Sequence, residues 1–351
     1  MTNKAMIVHP DFKLHGVSYK KNALVEHCKK SLFKDNEVFV FILDWLSDEL
    51  NITVQSSGST GPPKLFLAQK EAMVQSAVNT GKFFKLKAED KALLCLPISF
   101  IAGKMMVVRS LVLGLDLFIQ KPDDNPIKDS SKNFGFVAMT PHQLEKSIPY
   151  INKVNCLIVG GSPIRSSIQK KLINNSLGVF ETYGMSETLS HVAVKSLSKG
   201  EKEFTAIPGV SFKSRRGCLE INAPYLSSLP ILTKDKIELL SDTKFVWIGR
   251  NDFIINSGGI KIFPEEVEKI LTLYYLENFA ICGVPDEILG EKVVLVFEGN
   301  IPNDAVNAFQ NLKMFEKPKD IYCLKKIDRI NGKLDRLKLK KNLLKLINDR
   351  N

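Results

Sequence analysis

Residues 51–64, NITVQSSGSTGPPK, run from a strand-like segment into a loop of glycine, proline and hydroxyl side chains that ends on a lysine. The next segment, EAMVQSAVNTGKFFKL (71–86), has the apolar spacing of a helix. A strand, a polar loop and a helix in this order are typical of α/β proteins. Backbone amides and hydroxyls in such a loop suit phosphate oxygens, but Gly/Ser/Pro runs are more often plain loops. A linker and a phosphate-binding loop therefore both stay open at this point.

The loop is not a Walker phosphate loop. That motif needs a second glycine before its lysine, for close backbone approach, and a hydroxyl residue after the lysine, for Mg²⁺. Here Pro63 precedes Lys64, and Leu65 follows it. Gly58 and Gly61 still provide flexible backbone amides, so a different kind of phosphate site remains consistent with the sequence.

The rest of the chain predicts two unequal domains. Strand-like and helix-like segments alternate up to about residue 179, the next 70 residues are β-rich, and the alternation restarts after Arg250. We predict an α/β protein with a large N-terminal domain of mixed sheets and helices (1–249), a hinge (250–252) and a small mobile α+β C-terminal domain (253–351).

Composition limits the class of protein. The formal net charge is +11, with a basic excess near the C-terminus that would suit nucleic acid, a polyanionic small molecule or simply solvent. The six cysteines have no C-x-x-C pair or metal-ligand spacing. No apolar stretch approaches the roughly 20 residues that span a bilayer. We therefore expect a cytoplasmic protein without membrane insertion.

Five motifs in order resemble the adenylate-forming superfamily, which includes the acyl-CoA synthetases. The loop Ser56–Lys64 matches its phosphate loop at every specified position. The other four are GGSP (160–163), YGMSET (183–188), GRNDFIINSGGIKIFPEEVE (249–268) and NGKLDR (331–336). The resemblance implies a ligase that joins a carboxylate to the α-phosphate of ATP with Mg²⁺ and then transfers the acyl group to coenzyme A.

The resemblance also implies the nucleotide-binding residues. The phosphates would contact Ser56, Ser57, Gly58, Ser59, Thr60, Gly61 and Lys64. Gly160, Gly161 and Ser162 would line the adenine edge, and Tyr183 would lie against its face. Asp235 and Arg250 would face the ribose, although Lys234 stands where the superfamily has a glycine.

Three residues are predicted to act in adenylate formation. Glu187 matches the residue that holds the metal, and Ser186 would contact the α-phosphate. Lys333 matches the lysine that reaches the reacting carboxylate from the C-terminal domain. Its place after Asn-Gly, a pair typical of tight turns, distinguishes it from the lysines of the following helix.

For the thioester step, the superfamily's C-terminal domain rotates about a hinge and presents a glycine-rich hairpin to the pantetheine channel. Asp252 matches the hinge, and Gly258, Gly259 and Lys261 belong to the matching hairpin, SGGIKI. An ordinary hairpin turn is the alternative interpretation.

The acyl pocket departs from the superfamily pattern. In LPISFIAG (96–103), Phe100 replaces the usual histidine and Gly103 is kept. This segment, MTPHQL and TYGMSETLSHVAVK resemble CoA ligases that act on o-succinylbenzoate in menaquinone biosynthesis. The second carboxylate of that aromatic dicarboxylic acid needs a further donor or cation, for which Lys104, His142 and His191 are candidates. Because the first motif begins 55 residues into the sequence, we also expect a shortened first subdomain.

Other interpretations stay open. A synthetase for another acid would share every motif except the acyl pocket. A non-catalytic nucleotide- or nucleic-acid-binding protein would fit the basic charge, but the chain lacks the aromatic and basic interleaving of nucleic-acid binders. We expect the protein to bind small-molecule substrates and not nucleic acid. A homodimer is one oligomeric state that we consider.

Overall fold

The computed structural model describes residues 8–31, 37–55, 65–173, 177–330 and 333–349. The helices of these ranges are α1 (Lys21–Ser31), α2 (Glu37–Leu46), α3 (Lys70–Phe84), α4 (Ile101–Leu113), α5 (Pro141–Ser147), α6 (Ser166–Leu172), α7 (Pro264–Leu271) and α8 (Arg336–Asn348). The strands up to residue 184 are β1 (Lys13–Leu14), β2 (Val17–Ser18), β3 (Asn51–Gln55), β4 (Leu65–Gln69), β5 (Lys91–Leu94), β6 (Asp116–Ile119), β7 (Phe134–Met139), β8 (Val154–Val159) and β9 (Gly178–Gly184).

The later strands are β10 (His191–Ser196), β11 (Phe204–Ala206), β12 (Ser211–Arg215), β13 (Cys218–Asn222), β14 (Ile231–Ser241), β15 (Lys244–Arg250), β16 (Ile255–Ser257), β17 (Ile260–Ile262), β18 (Phe279–Asp286), β19 (Gly290–Glu298), β20 (Asp320–Leu324), β21 (Arg329–Ile330) and β22 (Lys333–Leu334). Short 3₁₀ turns occupy Ile148–Lys153, Ser186–Thr188, Asn251–Phe253, Ala305–Asn311 and Met314–Glu316.

One mixed sheet organises the chain up to Arg250. Its order is β12-β13-β14-β15-β11-β10-β9-β8-β7-β5-β6-β1-β2. The strands from β9 to β1 in this order are parallel, and the pairs from β12 to β9 are antiparallel. The parallel part places the ends of β8 and β9 side by side, where two of the sequence motifs lie.

Alternating side chains of the parallel strands enter two separate cores. On β7, Phe136 and Ala138 pack in the core that contains α2, α3 and α4. Their neighbours Val137 and Met139 pack in the core that contains α5 and α6. Successive strand residues point to opposite faces, and helices cover both faces of parallel sheets, so these strands are apolar at nearly every position.

A second sheet begins after Arg250. Its strands follow the order β17-β16-β19-β18, with β20 paired to β19. Leu295 and Phe297 of β19 pack toward α7, whereas Val294 and Val296 pack toward α8. The sheet therefore has its own core on each face, and the change of sheet coincides with the predicted hinge. Independent folding and mobility of this part stay predictions.

Most predicted elements are present, with two differences. The sequence suggested a helix directly after the polar loop, but β4 comes first and pairs with β3 in an antiparallel hairpin. The sequence NDAVNAFQNL (303–312) predicts a further helix, but Ala305–Asn311 forms a 3₁₀ turn instead. No helix in the described ranges is long and apolar enough to cross a membrane.

Replacing Phe297 by Ala should lower the free energy of unfolding of the C-terminal part by about 3–5 kcal/mol, because a fully buried ring leaves a cavity. Phe315→Ala is the matched control, since that ring is 38% exposed. Urea unfolding followed by circular dichroism measures both. Similar losses in the two variants would contradict a separate core around Phe297.

Candidate active site

The predicted phosphate loop, Ser56–Lys64, lies outside the described residues. Its two flanks are described: β3 leads into it, and β4 leads out of it beside β3. A bridge between Gln55 and Phe100 joins the end of β3 to the segment before α4. This bridge brings the loop's entry point next to the predicted acyl pocket.

Asp235 is the centre of the predicted ribose site. The Tyr183 hydroxyl donates to one oxygen of its carboxylate (2.6 Å), and the Trp247 Nε1 donates to the other (3.1 Å). Arg250 lies opposite Asp235 in the β14–β15 pairing, with its Nη1 3.7 Å from the carboxylate. An ionised carboxylate has about four acceptor positions, so Asp235 retains capacity for a ligand's hydroxyls.

Tyr183 therefore has a structural partner as well as its predicted place against adenine. Its ring contacts Phe204 and Phe245. Burial raises the pKa of Tyr183 well above its usual range, and the charge of Asp235 raises it further. The hydroxyl consequently stays protonated and serves as a fixed donor to Asp235.

The predicted hinge residue, Asp252, is held by two cations. Arg250 Nη2 lies 3.1 Å from one oxygen of its carboxylate, and Lys234 Nζ lies 3.2 Å from the other. Lys234 is the residue that replaces the superfamily's glycine. The departure from the motif therefore adds a contact to Asp252, and the role of Asp235 toward the ribose stays a prediction.

Lys333 reaches this group of charges from the part of the chain that follows the second sheet. It lies on β22, in a short hairpin with β21. Burial lowers the pKa of Lys333, Arg250 lowers it further, and the carboxylates of Asp235 and Glu187 oppose that shift. The predicted catalytic lysine, ribose residues and metal residue are thus within electrostatic range of one another.

Ser186 and Glu187 form a 3₁₀ turn after β9. Ser186 is buried, whereas Glu187 is exposed and forms no ion pair with the other described residues. Magnesium is commonly held by one or two carboxylates together with water and substrate phosphates. The Glu187 carboxylate suits that role, although the described residues contain no group of three or more acidic, His or Cys side chains for a metal.

Two glycines shape the predicted adenine edge. A side chain at Gly160 would collide with the Thr182 hydroxyl of the adjacent strand, and Gly161 has a φ of +102°. The backbone between β8 and α6, which includes Ser162, therefore turns sharply past the end of β9. Contact between these residues and a nucleotide stays a prediction.

The predicted hairpin for the pantetheine channel is present. β16 and β17 pair around Gly258 and Gly259, whose φ values are +58° and +80°. Lys261 is exposed on β17. The turn needs glycine at both positions, and its role toward coenzyme A stays a prediction.

The candidates for the acyl pocket separate into different places. Phe100 precedes α4, and a side chain at Gly103 would collide with the carbonyl of Pro97. Lys104 Nζ lies 4.6 Å from the Phe41 ring centroid, on α2. The structure thus places Lys104 against another helix, away from His191.

His142 and His191 also differ. His142 is exposed on α5, with its Nε2 3.2 Å from Asp124. His191 is buried and lies near Phe84, whose ring is 6.0 Å from the imidazole. Of the three proposed donors, only His191 lies in the buried region that follows the YGMSET motif.

A buried cation, Arg109 of α4, adjoins His191. Its Nε donates to the Thr80 hydroxyl (3.4 Å), and one Nη donates to the Ser190 hydroxyl. No carboxylate of the described residues forms an ion pair with it. Burial lowers the pKa of Arg109 to about 10, which leaves the guanidinium charged at neutral pH.

The hydrogen bonds around Arg109 bear on the protonation state of His191. Thr80 donates to the carbonyl of Ser76, so its hydroxyl oxygen can only accept from His191 Nε2 at 3.3 Å. Ser190 then donates to Nδ1, 3.3 Å away. This pattern requires a neutral imidazole, and burial together with Arg109 lowers the pKa of His191 well below its usual range.

Further polar groups near Arg109 lack regular hydrogen bonds. The Ser76 hydroxyl, the Asn79 amide nitrogen and the Tyr225 hydroxyl are buried without a hydrogen-bond partner in the described part of the chain. Buried polar groups are normally paired, so this cluster of polar side chains beside Arg109 distinguishes the region from the apolar core around it.

Sequence reasoning did not identify Arg109, Trp247 or the contact between Lys234 and Asp252 as parts of the site. Arg109 is the single arginine of the mainly apolar helix segment GKMMVVRSLVLG, which was a usable signal. Trp247 lies just before the motif that begins at Gly249, but only the pairing of β14 with β15 reveals its hydrogen bond to Asp235.

Comparisons with known proteins agree with this geometry. Residues 44–213 match the family of AMP-binding enzymes. The 2-succinylbenzoate–CoA ligase of Listeria monocytogenes is 23% identical, over 93% of this chain and 75% of that protein. A probable 2-succinylbenzoate–CoA ligase of Mycobacterium tuberculosis is 26% identical, over 84% of this chain and 85% of that protein. The resemblance inferred from the motifs is thereby confirmed.

Solved structures confirm the fold. An acyl-CoA synthetase (AMP-forming)/AMP-acid ligase II-like protein from Dyadobacter fermentans is 29% identical, with a TM-score of 0.61, over 93% of this chain and 99% of that one. The o-succinylbenzoate coenzyme A synthetase of Bacillus subtilis, solved with ATP and magnesium ion, has a TM-score of 0.74 at 17% identity, over 91% and 82% of the two chains.

The charges around Lys333 predict opposite effects of two substitutions on its pKa. Asp235→Asn should lower that pKa further, because it removes a carboxylate that favours the ammonium; Arg250→Met should raise it. NMR of ¹³C-methylated lysines across a pH series measures both. Arg215→Met, at an exposed arginine paired with Glu220, is the control. An unchanged pKa of Lys333 in both the Asp235→Asn and the Arg250→Met variants would contradict this arrangement.

Proposed function

Because residues 44–213 belong to the AMP-binding enzymes and the chain has the adenylate-forming fold, we propose that it is an ATP- and Mg²⁺-dependent acid–CoA ligase. Its proposed substrate is o-succinylbenzoate, and its proposed pathway is menaquinone biosynthesis. The products are the CoA thioester, AMP and pyrophosphate. Relatives named as 2-succinylbenzoate–CoA ligases support this choice.

Adenylate formation brings the substrate carboxylate close to the phosphates of ATP, so it needs cations between these anions. Lys333 and Arg250 supply positive charge beside Asp235, which can accept the ribose hydroxyls. In this role the Lys333 ammonium orients the substrate carboxylate toward the α-phosphate and stabilises the charge that develops there. Ser186 adds a hydroxyl at the same place, and the loop Ser56–Lys64 would bind the outer phosphates.

The exposed Glu187 carboxylate would hold the magnesium ion. When bound, the ion would neutralise part of the phosphate charge. Coenzyme A would enter along the hairpin of Gly258 and Gly259 after the C-terminal part rotates about Asp252. The prediction of domains 1–249 and 253–351 belongs to this proposal.

The buried Arg109 carries the choice of substrate. A guanidinium without a carboxylate partner in the described part of the chain is costly beside an apolar acid, whereas a second carboxylate would satisfy it with charge-assisted hydrogen bonds. Neutral His191 and the hydroxyls of Thr80, Ser190 and Tyr225 complete a polar end to the pocket. A dianionic acid fits this chemistry better than a fatty acid or benzoate.

Two further predictions belong to the proposal: a cytoplasmic location and a homodimer. Sedimentation velocity at micromolar concentration measures the oligomeric state, and fractionation of the source cells measures the location. The alternative of a non-catalytic binding protein is disfavoured by Glu187 and Lys333, which lie in one site.

The first test is substrate turnover. Purified protein with ATP, Mg²⁺ and coenzyme A should form AMP and a CoA thioester from o-succinylbenzoate, and far less from benzoate, medium-chain fatty acids or aryl acids. Mass spectrometry measures the products. Selective turnover of a different acid would keep the enzyme class and reject the substrate; no adenylate from any acid would reject the ligase.

Arg109→Met should lower kcat/KM for o-succinylbenzoate by about 10- to 100-fold, because a charge-assisted contact is lost. Turnover of a monoacid analogue that keeps the reacting carboxylate and lacks the second one should be affected much less. Arg109→Lys should recover part of the loss, and ATP binding by calorimetry checks that each variant is folded. Equal losses for diacid and monoacids would show that Arg109 only supports the fold.

A further inference from the structure

The two parts of the chain also touch far from the hinge. Arg165 Nη2 donates to Asn278 Oδ1 at 2.7 Å. Ser166 Oγ donates to the carbonyl of Lys269 at 3.0 Å, and Thr272 Oγ1 donates to Ser166 Oγ at 3.1 Å. We call these five residues the docking contact. It joins the start of α6 to the end of α7 and to the residue before β18.

Both sides of the docking contact are held in place within their own part. Arg165 Nη1 lies 3.7 Å from Glu145 of α5, which directs the guanidinium. The Asn278 side-chain nitrogen donates to Glu298 at 2.8 Å, so its oxygen faces Arg165. Preorganised partners lose little conformational freedom when they meet.

The helix end adds a second reason for the contact. Lys269 lies in the last turn of α7, where carbonyls have no partner within the helix. The Thr272 hydroxyl of the same part lies 2.8 Å from this carbonyl, and Ser166 supplies a second donor to it from the other part of the chain. When the parts separate, that donor is replaced by water, so the contact is favourable but easily exchanged.

One charge opposes docking. The Lys269 ammonium is brought near Lys195, and burial followed by this neighbour lowers its pKa, while Glu181 partly compensates. Glu181 is itself paired with Lys195 at 2.7 Å. The hydrogen bonds favour docking, and the two like charges oppose it, so the interface is weak. A weak interface suits a C-terminal part that detaches in every turnover.

We propose that Arg165 and Ser166 are positioning residues that dock the C-terminal part in the orientation in which Lys333 meets Asp235, Arg250 and Glu187. They touch neither substrate nor nucleotide in this role; they act through Asn278, Thr272 and the end of α7. The inference rests on the proposed function, because that function uses a second orientation in which the docking contact is broken.

The two half-reactions depend on the same equilibrium between two orientations of the C-terminal part, so their rates change together in a measurable way. Adenylate formation uses the docked orientation, and thioester formation uses the undocked one. When the orientations exchange faster than the chemistry, the ratio of the two rates follows the ratio of the two populations. Weakening the docking contact therefore changes this ratio by the same factor, whichever orientation dominates.

Arg165→Ala should shift the ratio about three- to five-fold toward thioester formation, a modest factor because the guanidinium is partly exposed. Adenylate formation is measured by pyrophosphate release, and thioester formation from preformed acyl-adenylate. Asn278→Ala should give a similar shift, and the double variant should add little to either, because both remove one interaction. Arg215→Ala, at another exposed arginine of the N-terminal part, is the matched control.

A cross-link tests the orientation without relying on the chemistry. Ser166→Cys with Thr272→Cys replaces two oxygens that lie 3.1 Å apart, and a small shift brings two sulfurs to bonding distance. Mild oxidation should give a species of altered mobility on a non-reducing gel, absent from Ser166→Cys alone. The cross-linked protein should form acyl-adenylate but no thioester, until reduction restores the second step.

Each outcome decides the inference. Additive single effects, equal loss of both half-reactions or an unchanged ratio would overturn the positioning role. Failure of the cross-link to form, or full thioester formation by cross-linked protein, would show that the docked orientation is not the one proposed. If the unmodified protein makes no adenylate from any acid, the proposed function fails, and the cross-link still reports whether the docking contact exists.

Discussion

The Asp235 carboxylate is the interaction on which the rest of the site depends. It accepts hydrogen bonds from Tyr183 and Trp247, lies opposite Arg250 and contributes to the electrostatic environment of Lys333. Strands of the large sheet and the β21–β22 hairpin of the C-terminal part therefore meet at one buried charge. A buried carboxylate is stable only when it is paired and hydrogen-bonded, so the same contacts that stabilise Asp235 also fix the places of its neighbours.

Under the proposed function, a second buried charge would select the substrate. Arg109 lies on α4, whose other buried residues are mainly apolar, and its neighbours are hydroxyls and a neutral imidazole. His191 is uncharged, so it contributes a dipole and adds no second positive charge. In the proposed function, several charged groups around Asp235 would bind the nucleotide, whereas one buried guanidinium would bind the second carboxylate of the acid.

Short stretches of the chain connect these two sites. Glu187 and His191 lie four residues apart on either side of a turn, so the metal residue and the acyl pocket are adjacent. Gly160 and Arg165 likewise connect the predicted adenine edge to the docking contact within one loop. In the proposed function, residues at the ends of β8 and β9, where parallel strands finish side by side, would act on the substrate, the nucleotide and the orientation of the C-terminal part.

The sequence by itself determined the α/β class, most helices and strands, and the motif residues that surround Asp235. Periodicity and motif order suffice for this, because local side-chain patterns encode which face is buried and which loops carry glycine. Only the tertiary structure decided that β4 pairs with β3, that Lys104 packs on α2 and that Arg109 lies beside His191. Those facts depend on contacts between residues far apart in the chain, which no local pattern contains.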